Sequence, residues 1–233
     1  MILVSTQVVT ILQFGHMLSI RSQAGYALSM TTHSPTPATR GPADHDVRDQ
    51  VINAAMEHFA HYGYEKTTVS DLAKSIGFSK AYIYKFFNSK QAIGEVICSN
   101  RLSLIMQIVS DSIADAPTAS EKVRRLFRSI SEAGSDLFFH DRKLYDIAAV
   151  ASRDQWPSVT AHEARIRQVI QEILLEGREK GEFERKTPLD EATQAIYLTL
   201  RPYVNSAQLQ YNLDTVQEAV VLLPALILRS LAP

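Results

Sequence analysis

Residues 68–90, TVSDLAKSIGFSKAYIYKFFNSK, constrain the fold more than any other stretch, because two helix starts and a helix stop fall close together. Thr68 followed by Asp71 has the spacing of a capping box. The hydroxyl accepts from an orphan backbone N–H, and the carboxylate sits at the positive end of the helix dipole. Val69, Leu72, Ala73 and Ile76 recur at helical spacing and give the helix that starts there one apolar face. Gly77 stands where that helix must stop, since glycine takes the left-handed conformation of a helix terminus without steric cost. Phe78 follows as an anchor and Ser79 as the next N-cap. The second helix, predicted over residues 80–87, turns Ile83 and Phe86 or Phe87 inward and leaves Lys80, Ala81, Tyr82, Tyr84 and Lys85 mostly outward.

Charge gives that outward face a purpose. Between residues 74 and 90 stand four lysines, Lys74, Lys80, Lys85 and Lys90, and no acidic residue, in a chain whose formal net charge is only -1. The positive charge is focused on a helix, turn and helix, as contact with nucleic-acid phosphates requires.

Residues 48–93 carry Ala54-Ala55, Phe59, Gly63-Tyr64, Thr67-Thr68, Asp71-Leu72-Ala73, Gly77, Ile83-Tyr84, Phe87 and Ser89-Lys90. In these the chain resembles the N-terminal domain of the TetR/AcrR family of transcriptional repressors, over about a fifth of its length. The resemblance implies that Lys80, Ala81, Tyr82 and Lys85 face base edges in the major groove, on the helix that Ser79 opens. It also implies phosphate contacts from Thr68, Tyr84 and Lys90, with Ser70 near the groove edge. A lysine can donate to guanine, an alanine can touch a thymine methyl, and phosphate contacts set register without reading sequence.

At 233 residues, with 45% hydrophobic and 21% charged, the chain has the composition of a globular protein of one domain or two small ones. The lone Cys98 excludes an intrachain disulfide framework and suits a reducing, cytoplasmic setting. Residues 1–43 are expected to form a disordered arm. Their apolar start lacks a basic leader and is broken by Gln7, Gln13 and His16, which argues against a signal peptide or a spanning helix, so no membrane partner is expected. Met17 and Met30 are alternative translation starts, and Arg40 on a retained arm can reach a neighbouring minor groove.

The first helix is expected from about residue 44 to 62, with Val47, Val51, Ala54, Ala55, His58 and Phe59 on its buried side; residues 44–92 then form the helix-turn-helix domain. His58 and His61 have a spacing open to metal ligation, but no third ligand is spaced to complete a site, and neither metal nor cofactor is expected. Residues 93–233 read as an effector-binding and dimerisation domain of long amphipathic helices, beginning with a connecting helix over 89–115. Later helices end or start near Pro117, Asp141, Trp156-Pro157, Gly181 and Pro188, and Pro202 and Pro224 fall inside the last two. No strand-like alternation persists, so the fold class is all-α, with about nine helices.

The last two helices carry small and aliphatic residues on broad faces, and one apolar side needs a partner, which a homodimer supplies. Two-fold symmetry then sets the recognition helices roughly 34–36 Å apart and demands a near-palindromic operator in double-stranded DNA. The bulky residues Phe127, Phe138, Phe139, Tyr145, Trp156, Tyr197 and Tyr203 are candidates to line an apolar pocket for a small-molecule effector, with Arg128, His140, Arg153, His162 or Arg201 offering polar contacts. Two other readings remain open, a DNA-binding scaffold controlled by a protein partner and an α-helical enzyme. Against the enzyme, the chain lacks a P-loop, a dinucleotide-binding glycine motif and a Gly-x-Ser-x-Gly elbow, and no catalytic residue is assigned.

Overall fold

The computed structural model describes residues 44–233, so the arm expected over residues 1–43, the starts at Met17 and Met30 and the reach of Arg40 lie outside the described residues. Among the described residues there are ten α-helices and no strand. They are α1 (Asp44–Tyr62), α2 (Val69–Ile76), α3 (Lys80–Ile83), α4 (Lys90–Ala114), α5 (Ala119–His140), α6 (Arg142–Arg153), α7 (Pro157–Glu179), α8 (Leu189–Val204), α9 (Ser206–Leu209) and α10 (Val216–Ser230).

Polar caps set the boundaries. Thr68 accepts from Asp71 N while Asp71 accepts from the Thr68 backbone, so the capping box closes at α2, and Gly77 ends the helix at φ 73°. Ser79, Ser89, Thr118 and Asp141 each accept a backbone N–H in the first turn of α3, α4, α5 and α6. Trp156 has no side chain to cap α7. Glu95 of α4 supplies the missing acceptor, taking the Ser158 N–H at 3.1 Å, and Pro157 occupies the first helical position, where an absent N–H costs nothing.

Two expectations shift. The recognition helix is shorter than residues 80–87: regular α3 ends at Ile83, and tighter bonds such as Phe86 N to Ile83 O at 2.9 Å carry the chain to Phe87. The separate α9 was not foreseen. Pro202 lies in the last turn of α8, and Asn205 then accepts from Ala207 N, restarting a helix four residues long.

The helix-turn-helix head does not stand apart from the body. Val51, Ala55 and Phe59 of α1, Leu72 of α2, Ile83 of α3 and Ile93 and Ile97 of α4 share one buried cluster with Leu144, Ile147 and Ala151 of α6 and with Trp156. A second cluster fills the body between α5, α7, α8 and α10. The helix α4 joins the two. Among the described residues it is the one helix long and apolar enough to cross a membrane by length and composition, with a mean hydropathy of 1.3 over 18 residues. Here it packs instead on α1, α5, α6 and α7.

Candidate DNA-binding face and ligand cavity

The outward face of α3 and of the turns that follow it carries the side chains that the spacing predicts. Lys80, Ala81, Tyr84 and Lys85 are exposed, Tyr82 is half-buried, and Ile83 and Phe87 are buried beneath them. Tyr82 sits edge-on between Phe78, at 5.1 Å, and Phe86, at 5.3 Å, so its ring is held in one orientation. Lys85 lies 5.5 Å from the Tyr82 ring and Lys80 5.8 Å from that of Tyr84, which places two cations and two phenols side by side on one surface. Arg48 fastens the far end of this segment to α1, donating to Phe86 O at 2.8 Å and covering the Phe87 ring at 4.5 Å.

Two of the residues assigned to phosphates have structural work as well. The Thr68 hydroxyl donates to Asp71 Oδ2 at 2.7 Å while accepting from Asp71 N, and this hydrogen bonding holds the exposed Asp71 carboxyl below its usual range. Lys90 is turned back: its ammonium donates to Tyr64 O at 3.0 Å and to Glu65 O at 3.4 Å, and lies 4.3 Å from the centre of the Tyr64 ring. At the N-terminus of α4 the first backbone N–H groups have no partner within the helix, and Ser89 Oγ accepts from that of Ala92 at 3.0 Å. Ser70 is half-buried on α2, and Ser79 is exposed at the N-cap of α3. His58 and His61 pack against Tyr62, at ring distances of 5.3 and 4.4 Å.

Behind the head lies a cavity of about 290 Å³, walled by Ile97, Leu102, Leu104 and Ile105 of α4, Ile130, Gly134 and Leu137 of α5, and Leu144, Ile147 and Ala148 of α6. Met56 of α1 borders it on the head side, and Tyr203, Val204 and Ser206 on the α8–α9 side. The polar side chains on its border are those of Asn100, Arg101, His162, Tyr203 and Ser206, with the Cys98 thiol. Burial pushes the His162 imidazole down to about 4, so the ring is neutral at physiological pH.

Of the residues expected to line a pocket, Tyr203 and His162 border this cavity, whereas Phe127, Phe138, Tyr145, Trp156, Tyr197 and Arg201 do not and are engaged elsewhere. Phe127 and Tyr197 are buried in the body cluster, with Arg167 stacked 3.8 Å over the Tyr197 ring. Phe138 packs edge-on against Tyr145 at 4.8 Å, in a small cluster with Leu209 and Val216, and the Tyr145 hydroxyl donates to Ser206 O. Trp156 belongs to the head-side cluster, 5.5 Å from Tyr64. Arg201 is half-buried on α8, its Nε enclosed without a partner. The physical reason is volume: bulky rings fill space, whereas the cavity opens where α4, α5 and α6 face one another with aliphatic side chains, Gly134 and Ala148. Of the cavity residues, Met56, Ile105 and Ala148 gave no sequence signal beyond ordinary helical spacing.

Comparison with known proteins agrees with this architecture. Residues 51–96 match the family model described as bacterial regulatory proteins, tetR family, and residues 119–220 match a tetracyclin repressor-like C-terminal domain. The fatty acid metabolism regulator protein of Bacillus subtilis strain 168 is 24% identical over 159 residues, covering 65% of this chain and 78% of that protein. The negative regulator of the biofilm operon icaADBC of Staphylococcus aureus strain Newman is 41% identical over 49 residues, 21% of this chain and 26% of the relative. In fold, the chain is similar to a transcriptional regulator of Cytophaga hutchinsonii, with a TM-score of 0.62 at 19% identity, covering 82% of this chain and 100% of that one. It is similar also to a Bacillus subtilis regulator solved with stearoyl-CoA, with a TM-score of 0.57 at 23% identity, covering 76% of this chain and 97% of that one. The two family models fall on the head with its basic face and on the helical body with its cavity, and the chain belongs to the tetR family of DNA-binding transcriptional regulators.

Proposed function

We propose that this protein is a dimeric, cytoplasmic repressor that leaves a palindromic operator when a small, largely apolar ligand fills the cavity. The observation that carries the reading is the position of Met56. It belongs to the first helix of the DNA-binding head, yet it borders the cavity together with Leu144 and Ile147, which themselves pack in the head-side cluster. A ligand there touches the head directly and through α6, so a head orientation that changes the cavity changes ligand affinity. By linkage, the ligand changes operator affinity by the same factor.

The remaining parts of the reading have their own support. Tyr82 and Lys85 form the firmest candidate base-reading pair, since aromatic stacking fixes the tyrosine and the lysine lies against it. Residues 44–92 act as the DNA-binding unit and residues 93–233 as the effector and dimerisation body. Leu198 on α8 and Val221, Leu222 and Leu226 on α10 are exposed, and their burial between two copies is the expected use of an apolar face on these helices. An apolar cavity inside the body favours a small molecule over a protein partner as the controlling signal. The relatives concerned with fatty acid metabolism, one solved with stearoyl-CoA, favour an aliphatic chain.

Selection of bound sequences from random duplex DNA, followed by titration of ligands against the recovered site, tests the reading. An enriched inverted repeat bound by two chains and released by an aliphatic ligand is the expected result. An enriched site without two-fold symmetry, or one that no cavity ligand releases, overturns the dimeric or the effector half respectively.

A further inference from the structure

The cavity has a chemical polarity beneath its aliphatic lining. Arg101 is the only formally charged side chain among the residues that border it, and no carboxylate is among them. Glu163, the nearest acid in sequence to His162, borders a small adjoining chamber and is paired with Arg167 at 3.5 Å. A guanidinium stays protonated at any physiological pH, and with no acid lining the same space its field favours an anion and opposes a cation.

The second polar feature lies deeper. His162 is 8% exposed, its Nδ1 is enclosed without a hydrogen-bond partner, and its ring borders both the main cavity and the adjoining chamber. An enclosed polar atom left unsatisfied is unfavourable, and the chamber, at about 10 Å³, is at the lower limit of space for one water. A neutral imidazole offers one N–H and one lone pair, so it selects a hydrogen-bonding group rather than a charge. Besides the half-buried Arg101 and the buried His162, most of the residues that border the cavity are aliphatic, nine of them Leu, Ile or Val.

We propose, building on the ligand-release reading above, that the cavity takes an amphipathic organic anion. Its charged head meets Arg101 and an oxygen along its otherwise aliphatic body hydrogen-bonds to His162, as in a hydroxy- or oxo-substituted carboxylate of medium length. The anionic head has two chemical sources, a free carboxylate or the phosphates of a coenzyme A thioester, and direct comparison separates them.

The test is calorimetric titration of the full-length protein with dodecanoate, a series of hydroxydodecanoates, dodecanol, dodecylamine and dodecanoyl-coenzyme A. It is repeated on Arg101→Gln, His162→Phe and His162→Gln, each checked by circular dichroism and thermal melting. At least one anion is expected to bind about tenfold tighter than dodecanol, and dodecylamine weakest, with the preference lost in Arg101→Gln. One hydroxy isomer is expected to exceed dodecanoate by about tenfold, an advantage lost in His162→Phe and partly kept in His162→Gln, which retains hydrogen-bonding capacity. Binding of the thioester alone assigns the head to phosphate and keeps the anion seat.

Equal affinity for acid, alcohol and amine, a preference that survives Arg101→Gln, no gain from any hydroxy isomer, or no binding at all overturns the proposal. Operator release is measured alongside with the same probes. A probe that binds with the expected preferences but leaves the operator occupied refutes the release reading alone. Release by an alcohol or amine, with no anion preference, refutes the ligand class alone.

Discussion

A Cβ on Gly94 would stand 2.9 Å from Cη2 of Trp156, so α4 lies against the indole only because glycine leaves that space open. The same Cβ would meet Tyr64 Cε2 at 3.1 Å, and Tyr64 is itself held by Trp156 on one side and Phe59 on the other. Both rings are buried, so either must shift against packed neighbours to make way. Replacing Gly94 by Ala gains about 1 kcal/mol in helix propensity, against an overpacking cost of about 1–3 kcal/mol. With two aromatic rings to displace, cost is expected to exceed gain, and Gly94→Ala should unfold at lower urea than the parent by about 1 kcal/mol. An unfolding midpoint at or above the parent's would show that the rings yield freely.

Lys90 and Lys85 look equivalent as basic residues near DNA, yet the structure gives them different tasks. Lys90 ties α4 to the loop after α1 through Tyr64 O and Glu65 O, whereas Lys85 is exposed beside Tyr82. Lys90→Met is expected to cost about 1–2 kcal/mol of stability and to leave the salt dependence of operator binding unchanged. Lys85→Ala should leave stability within about 0.5 kcal/mol and reduce the slope of log K against log salt by about 0.9 if it meets a phosphate. A Lys85→Ala slope equal to the parent's, with altered sequence preference, would instead assign it to a base. Salt titrations on a selected operator, paired with thermal melts, distinguish these outcomes.

Much of this was legible in the chain because caps and stops are local events. Thr68 and Asp71, Gly77, Ser79 and Ser89 determine their helix ends through atoms only a few residues apart, so spacing alone reveals them. The short α9 carries the same kind of signal in Asn205, masked by Pro202 just upstream, which reads as a kink in one helix rather than the end of it. The cavity is not local. It exists where side chains from seven helices leave space unfilled, and large aromatics such as Phe127 and Trp156 mark the places already filled. Lys90 illustrates the same limit on charge: its residue type suits a phosphate, but its partner is set by a carbonyl 26 residues away.

The exposed side of α10 supplies a third prediction. Leu222 is 61% exposed in the single chain, and Val221 and Leu226 flank it at similar exposure. Leu222→Glu places a charge in the proposed interface at no cost to the isolated chain's core. The variant is expected to sediment as a monomer with unchanged helical circular dichroism and to bind the operator at least about a hundredfold more weakly, since two linked half-sites become two separate weak ones. A dimeric Leu222→Glu variant would move the interface elsewhere.

His162 gives a pH dependence whose sign follows from burial. Its imidazole is pushed down from 6.5 to about 4, chiefly by desolvation, with Glu163 beside it acting in the opposite direction and Cys98 of α4 the other titratable side chain with which it borders the small chamber. Because the folded state resists protonation, the unfolded chain binds more protons between these two values. Stability is therefore unaffected by this group above about pH 6.5, falls as pH drops from there toward about 4, and is affected no further below it. A displacement of this size corresponds to about 3 kcal/mol. The carboxylates held below their usual range, Asp71, Glu176 and Glu182 among them, lose their contribution only as pH falls through the lower end of the window. Denaturant unfolding of the parent and of His162→Gln at half-unit steps across the window isolates the histidine. The parent should lose stability steadily as pH falls from about 6 to 4.5, and the glutamine variant should lose about 2 kcal/mol less over that interval. Parallel curves would mean that the His162 imidazole titrates in the folded protein at its ordinary value of 6.5, so that burial does not keep it neutral below that pH. The cavity would then hold two cations, Arg101 and the imidazolium, only in acid.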